Sequence, residues 1–93
     1  VLLSADDRWP DGQSASAFYL HNLVTDPYVK GAGRELLREA EALALRQQKQ
    51  FLRLDCSIYM FFLNHYYESA GFHLAGRCKE GPYEGNLREK ALF

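Results

Sequence analysis

One stretch of the sequence, residues 17–48, constrains the fold more than any other. Its first part, 17–24, is mostly aromatic or aliphatic, which is typical of a buried β-strand. A turn follows, and then a short loop that contains Gly31 and Gly33. From 33 to about 48, apolar residues recur every three or four positions, which predicts an amphipathic helix. The sequence therefore predicts a strand, a glycine loop and a helix in succession.

The start of this helix has the properties of a phosphate-binding site. The first backbone N–H groups of a helix have no partner within it and lie at the positive end of its dipole. Gly31 and Gly33 have no Cβ, so an anion can approach the backbone closely. Lys30 and Arg34 add positive charge beside the same point. We therefore expect a phosphorylated ligand to bind here.

Three known phosphate loops compete for this segment. A Walker A loop requires Gly-Lys followed by Ser or Thr, and Arg34 follows Gly33 here, so that interpretation fails. The dinucleotide fingerprint G-x-G-x-x-G begins at Gly31 but has Leu36 in place of its third glycine. The third candidate is a loop that binds acyl-CoA.

The segment 28–33, Tyr-Val-Lys-Gly-Ala-Gly, resembles the acyl-CoA loop of the GNAT superfamily of N-acetyltransferases, Gln/Arg-x-x-Gly-x-Gly/Ala. It matches at both small-residue positions and has Tyr28 at the first. A second segment, 66–72, Tyr-Tyr-Glu-Ser-Ala-Gly-Phe, is similar to that family's Tyr-Glu-x-x-Gly-Phe signature. The strand-like segment 51–56 and Gly81-Pro82-Tyr83 also resemble GNAT members. The two motifs occur in the order and spacing that the family has.

The resemblance implies a GNAT-like acyl-CoA N-acyltransferase fold of the α/β class. We expect a mixed, largely antiparallel sheet with one splayed parallel pair of strands and helices packed on it. Residues 1–93 are expected to form a single domain that corresponds to the C-terminal part of the family's domain and lacks its N-terminal strands and helices. A partner chain or a second copy that completes the sheet is expected for the same reason.

Sequence patterns predict the following elements. The strands are 1–4, 17–24 (a central strand), 51–56 (parallel to 17–24), 72–78 and 86–92, the last of which could also be a helical tail. The helices are 33–48 and 59–70, the second capped by Ser57 and ended by Gly71. The loops are 5–16, anchored by the packing of Trp9, and 79–85.

Periodicity also predicts which residues of the two helices face the core. For the first helix they are Leu36, Leu37, Ala40, Leu43, Ala44 and Gln47. For the second they are Tyr59, Phe62, Leu63, Tyr66 and Ala70.

The resemblance also implies the site residues. The pantetheine arm of CoA would bond the backbone of the first strand, and the pyrophosphate would bind N–H groups of the loop. The cofactor-binding residues would be Asn22, Leu23, Val24, Val29, Lys30, Gly31, Ala32, Gly33 and Arg34. Tyr67 matches the tyrosine that acts as the acid toward the leaving thiolate. His21 is a candidate base, and a water relay or a group from another segment is the alternative.

The function that these features favour is transfer of an acetyl group from acetyl-CoA to a primary amine of a small molecule or peptide. The alternative is a non-catalytic module of the same fold that binds CoA or a partner chain. Met60 favours this alternative, because many members with an Asp-Cys strand end have an asparagine at that position.

Composition limits the other classes of function. The hydrophobic fraction of 47 % predicts a packed core, and the formal net charge of -1 gives no reason to expect nucleic acid or an anionic membrane surface as a partner. The three histidines and the cysteines Cys56 and Cys78 are scattered, so no metal site is expected. Two separate thiols are typical of a reducing compartment, and we expect the protein to be cytoplasmic.

Overall fold

A computed structural model describes residues 2–20 and 32–93 of the 93-residue chain. In these residues, five strands and two helices are defined: β1 (Leu2–Leu3), β2 (Ala17–Leu20), α1 (Ala32–Arg46), β3 (Phe51–Ser57), α2 (Phe61–Ser69), β4 (His73–Glu80) and β5 (Tyr83–Ala91).

The strands form one mixed sheet in the order β1-β2-β3-β5-β4. β2 and β3 are parallel, with Ala17 opposite Phe51 and Leu20 opposite Leu54, and α1 connects them. The other three strand pairs are antiparallel. The predicted parallel pair with a helical crossover is therefore confirmed, as is the interior position of β2. The molecule has the mixed α/β architecture that the sequence predicts.

Both helices pack on the same face of the sheet. The buried residues of this face form one cluster from β2, α1, β3, α2 and the residue that precedes β4: Leu20, Leu37, Ala40, Leu52, Leu54, Cys56, Tyr67 and Phe72. Alternation along β3 supplies three of these residues, because every second side chain of a strand points to the same face. This cluster is the main hydrophobic core, and it fixes the two helices relative to β2 and β3.

The opposite face of the sheet is covered by the loop between β1 and β2. Trp9 in this loop is 5 % exposed and packs edge-on against Tyr19, with ring centroids 5.9 Å apart. Ala17 and Leu87 complete the small buried cluster on this side. The prediction that Trp9 anchors the loop by packing is confirmed.

The buried stripe of α1 is narrower than predicted. Leu37, Ala40 and Ala44 are buried, whereas Leu36 and Leu43 are 40 % and 36 % exposed. Residues three or four positions apart lie near one another on a helix but do not all point in the same direction. Only the line of residues Leu37, Ala40 and Ala44 faces the sheet directly. The helix ends at Arg46, two residues before the predicted end.

The phase of α2 differs from the prediction. Ser57 is the last residue of β3, and its hydroxyl accepts the N–H of Tyr59 at 3.3 Å instead of capping the helix. The helix begins at Phe61, and its buried residues are Asn64 and Tyr67. Tyr59 and Phe62, predicted to face the core, are 67 % and 82 % exposed. The reason is that polar side chains of β5 lie beneath this helix, and they select Asn64 as the inward residue.

The C-terminal residues form a hairpin that is tighter than predicted. β4 and β5 are joined at Gly81 and Pro82 alone, where the sequence suggested a loop over 79–85. Gly81 has φ +56°, a left-handed conformation that favours glycine in tight turns. The final segment is a strand and not the alternative helical tail, and it lies between β3 and β4.

Candidate functional site

The predicted cofactor loop falls largely outside the described residues. This applies to seven of the predicted site residues: His21, Asn22, Leu23, Val24, Val29, Lys30 and Gly31. Their assigned roles stay predictions. Ala32 and Gly33 are the first two residues of α1, so the helix begins at the point where the glycine loop was expected to end.

Arg34 lies in the first turn of α1, exposed to solvent. The first N–H groups of a helix have no acceptor within the helix itself. Glu35 in the same turn carries a negative charge and works against an anion at this point. The positive charge near this turn is carried by the exposed side chains of Arg34 and Arg38.

Tyr67 lies on the inner face of α2 and is 7 % exposed. Its ring packs edge-on against Phe72, with centroids 6.1 Å apart, and against the tilted ring of Tyr66 at 5.7 Å. Burial raises the pKa of Tyr67 to about 12, and the neighbouring Cys56 thiol adds to the effect. The side chain consequently remains a protonated phenol throughout the physiological pH range.

The Tyr67 hydroxyl makes no hydrogen bond to residues 2–20 or 32–93, whereas several other buried polar groups are paired there. Tyr19 and Tyr83, for comparison, have hydroxyl partners in Arg53 and Asp55. A buried hydroxyl without a hydrogen-bond partner costs free energy, so phenylalanine would pack at this position at a lower cost than tyrosine. The Tyr67 O–H is therefore a donor that could hydrogen-bond a ligand.

The relative burial of Tyr66 and Tyr67 is the reverse of what periodicity predicts. Tyr66 was expected to be the core-facing residue of the pair, and it is instead half-buried and lines an open cleft between the helices. Tyr67 is the more deeply buried of the two. The shift follows from the phase of α2, which turns Asn64 and Tyr67 toward the sheet.

The cleft between α1 and α2 has a volume of about 320 Å³. Its lining residues come from both helices, from the turn after α2 and from β5: Arg34, Leu37, Arg38, Glu41, Tyr66, Ser69, Ala70, Phe72 and Lys90. The structure thus brings the predicted Arg34 into the same cavity as Tyr66, the immediate neighbour of Tyr67. This cleft opens where α1 begins, so it adjoins the predicted phosphate site.

A buried polar network holds α2 on the sheet. The Asn64 side-chain oxygen accepts the Nε–H of Arg88 and the amide of Asn86, both at 3.0 Å. Arg88 also donates to the backbone oxygen of Phe72 at 2.9 Å. The Asn64 amide donates to the backbone oxygen of Ser57 at 2.8 Å. Sequence analysis did not assign Asn64 or Arg88, because α2 also contains the polar residues His65, Glu68 and Ser69 and nothing local shows which polar residue faces the sheet.

A second buried arginine lies on the opposite face of the sheet. Arg53 of β3 is 5 % exposed and donates to Asp11 at 2.8 Å, to Glu89 at 2.7 Å and to the Tyr19 hydroxyl at 2.8 Å. Its guanidinium carbon is 4.3 Å from the centre of the Trp9 ring. These contacts fasten the β1–β2 loop to the sheet, and sequence analysis did not anticipate them.

Two further classes of site find no support in the residues that the structure describes. Those residues contain no group of three His, Cys, Asp or Glu side chains that could hold a metal ion. Within the same ranges, no helix is long and apolar enough to cross a membrane.

No protein-family model matches the sequence, and no curated relative matches it either. Solved structures do match. An acetyltransferase of the GNAT family from Listeria monocytogenes has a TM-score of 0.76 over 98 % of this chain and 55 % of its own, with 22 % identity.

The chain has the GNAT acetyltransferase fold.

Two further structures with this fold match over similar lengths. A nourseothricin acetyltransferase has a TM-score of 0.74 and 17 % identity over 84 % of this chain and 51 % of its own. An IAA acetyltransferase from Bacillus cereus has a TM-score of 0.69 and 15 % identity over 82 % and 62 %. The chain spans about half the length of the solved acetyltransferases that it matches. The GNAT fold predicted from the two sequence motifs is therefore confirmed.

Proposed function

We propose that this chain forms the CoA-binding part of an N-acetyltransferase that transfers an acetyl group from acetyl-CoA to a primary amine of a small molecule or peptide. The solved structures that share its fold are acetyltransferases, which supports the general class of reaction. The observation that carries the proposal is Tyr67, a buried phenol on α2 whose hydroxyl has no hydrogen-bond partner among residues 2–20 and 32–93. Its neighbour Tyr66 lines the cleft that leads from the start of α1.

Acetyl-CoA supplies a thioester, whose carbonyl carbon an amine can attack. A C–N bond forms, the C–S bond breaks, the sulfur takes the bonding electrons, and the amine nitrogen loses a proton to a base. In this proposal Tyr67 donates its O–H to the sulfur as negative charge develops there. A thiolate, with an ordinary thiol pKa near 8.5, is a weaker base than a phenolate of pKa about 12. Tyr67 therefore stabilises the leaving group by hydrogen bonding more than by complete proton transfer.

The remaining parts of the proposal rest on the sequence motifs. The N–H groups of Val29 to Arg34 bind the pyrophosphate, and the backbone of Asn22 to Val24 binds the pantetheine arm. His21 takes the proton from the amine, with a water relay as its alternative. The backbone donors follow from the loop chemistry described above, because a glycine loop that opens a helix presents them toward an anion.

A second candidate function is a non-catalytic module that binds CoA or a partner chain. Four consecutive large apolar side chains at the start of α2 favour it. Tyr59, Met60, Phe61 and Phe62 are 67 %, 49 %, 78 % and 82 % exposed. An apolar patch of this kind commonly marks a contact surface with another chain. The two candidates differ in turnover, not in fold.

The experiment that separates them measures free thiol released from acetyl-CoA, with and without a panel of amines that includes N-terminal peptides, lysine peptides and small amines. We expect thiol release that depends on one class of amine, together with the acetylated amine in the mass spectrum. Heat-denatured protein is the control. Binding of acetyl-CoA with no amine-dependent release would favour the second candidate and contradict the enzyme proposal.

A further inference from the structure

An exposed apolar patch lies at the junction of β3 and α2. It consists of Tyr59, Met60, Phe61 and Phe62, which are 67 %, 49 %, 78 % and 82 % exposed. Single apolar residues are normal on a protein surface, but four consecutive large ones form a contiguous area of the kind that contacts another molecule. The patch belongs neither to the core clusters nor to the cleft between α1 and α2. Packing among the described residues therefore does not account for it.

The patch lies in a stretch of sequence without charged side chains. Residues 56–64 contain no Asp, Glu, Lys, Arg or His. In a two-fold symmetric dimer a surface meets its own copy, so a charged patch would oppose like charges, whereas an uncharged patch does not. The formal net charge of the whole chain is only -1, so repulsion between two copies is also small. The charge distribution therefore suits pairing with a second copy of this chain.

A second cleft adjoins the patch. It has a volume of about 330 Å³, and its lining residues come from β4, β5 and the turn after β3: Ile58, Arg77, Cys78, Lys79, Glu84 and Gly85. Ile58 directly precedes Tyr59, and its N–H donates to the backbone oxygen of Glu84 at 3.0 Å, which fixes the start of the patch beside the cleft. A cavity of about 150 Å³ already holds a benzene ring, so this cleft has room for an aromatic side chain. Because patch and cleft are neighbours, a two-fold axis between them places each patch against the cleft of the other copy.

The area of the patch is sufficient for a weak dimer. An aromatic side chain presents about 150–250 Å², so the exposed fractions of residues 59–62 amount to roughly 500 Å² per copy. A pair of copies would bury about 1,000 Å² from the patches alone, near the lower limit of a specific interface, and the cleft walls add to this area. An interface of this size is consistent with a dissociation constant on the order of 10 µM.

We propose that residues 59–62 and the adjoining cleft form the interface of a two-fold symmetric homodimer, in which an aromatic side chain of each copy enters the cleft of the other. Aromatic residues that fill a pocket of the partner commonly supply most of the binding energy of an interface. The surface differs from the edge of the sheet, where the sequence led us to expect a partner. The inference goes beyond the proposed function, because association through this surface does not depend on acetyl transfer.

Sedimentation velocity from about 1 µM to about 300 µM protein, a range that brackets the expected dissociation constant, tests the proposal. We expect the mass to rise from 10.7 kDa toward twice that value. The double substitution Phe61→Ser and Phe62→Ser should weaken association at least about 30-fold, because it removes two anchors from each copy. Both side chains are exposed, so the variant should keep its circular dichroism spectrum and, at the lowest concentration, its melting temperature.

Phe93→Ser is the matched control. Phe93 is 82 % exposed, as Phe62 is, but it lies at the end of the chain outside the patch. Its replacement should change the dissociation constant by less than about twofold.

The two cysteines report on the cleft. Cys78 lines it, whereas Cys56 is buried in the core and serves as an internal reference. Alkylation of Cys78 by iodoacetamide should slow in proportion to the fraction of dimer, and it should not slow in the double variant at the same concentration. Equal alkylation rates in monomer and dimer would overturn the placement of the cleft in the interface.

The remaining outcomes are also decisive. A monomer at every concentration overturns the proposal, as does a dimer of unchanged affinity in the double variant, since another surface then holds the copies together. Growth beyond a dimer would indicate an open head-to-tail contact and overturn the two-fold arrangement. Each of these results leaves the proposed acetyl transfer standing, and absence of acetyl transfer would leave the dimer standing.

Discussion

Replacement of Tyr67 by phenylalanine should lower kcat for acetyl transfer about 100- to 1,000-fold. The hydroxyl is the only group removed, and the hydrogen bond that we propose it gives to the leaving sulfur is stronger in the transition state than in the bound substrate. Loss of such an interaction lowers kcat and leaves KM for acetyl-CoA nearly unchanged. Steady-state kinetics with the accepted amine measure both quantities.

Stability should change little in this variant. The Tyr67 ring, which packs against Phe72, is retained, and its hydroxyl has no partner in the described ranges to lose. Tyr66→Phe is the matched control, because Tyr66 is the adjacent phenol on the same helix, is less buried than Tyr67 and lines the cleft. It should keep kcat within about threefold. Equal kinetics for Tyr67→Phe and the unaltered protein would show that Tyr67 only packs.

The pH dependence offers an independent check on the same residue. With its pKa raised to about 12, Tyr67 keeps its proton well above the range in which an ordinary tyrosine ionises. Its donor function is therefore present at low pH and lost only as pH approaches 12. A fall in kcat between pH 8 and 10 that disappears in Tyr67→Phe would contradict this assignment.

Replacement of Arg53 by methionine should cost about 3 kcal/mol of unfolding free energy, near the lower end of what breaking a buried ion pair costs. The substitution keeps a long side chain between Trp9 and the sheet but removes every donor. It leaves the Tyr19 hydroxyl and the carboxylates of Asp11 and Glu89 without their partner. The effect is not larger because both carboxylates reach solvent. Urea unfolding followed by Trp9 fluorescence measures it.

Arg77→Met is the control for this substitution. Arg77 lies exposed on the edge strand β4, and its replacement should change stability by less than about 0.5 kcal/mol. A loss below about 1 kcal/mol in Arg53→Met would show that the arginine contributes little beyond its packing.

The same ion pair predicts how stability changes in acid. A hydrogen bond from Arg53 lowers the pKa of Asp11 below its ordinary value of 3.8. A depressed pKa in the folded state adds stability that is complete above the ordinary value and is lost as pH falls through the folded one. The difference in stability between Arg53→Met and the unaltered protein should therefore shrink below about pH 4.

The local parts of this fold could be predicted because their signals are local. The strand at 17–20, the helix at 32–46 and the strand at 51–57 follow from the pattern of apolar residues within each segment. The phase of α2 could not be read in the same way. Its inward-facing residue is Asn64, which faces the sheet because its side-chain oxygen accepts a hydrogen bond from Arg88, 24 residues further along the chain. The helix also contains His65, Glu68 and Ser69, and only the partner beneath Asn64 explains why this polar residue is the buried one.

The candidate site also has one part that a local motif predicts and other parts that depend on contacts between distant segments. The motif at 66–72 identified Tyr67, but its burial and raised pKa depend on how α2 packs on Cys56 and Phe72. Arg53 illustrates the same limit, since its partner Asp11 lies 42 residues earlier. The cleft between α1 and α2 also includes a β5 lysine, and no single segment of sequence contains it. Such sites arise from contacts between elements that are distant in sequence.

A thermal melt with and without acetyl-CoA tests the central claim, that this fold binds CoA, most directly. A ligand that binds only the folded state at 100 times its dissociation constant adds about 2.7 kcal/mol of stability. For a domain of this size, that corresponds to a rise in Tm on the order of 10 °C. We predict a rise that increases with acetyl-CoA concentration. A cooperative melt at the same Tm with millimolar acetyl-CoA would contradict the account.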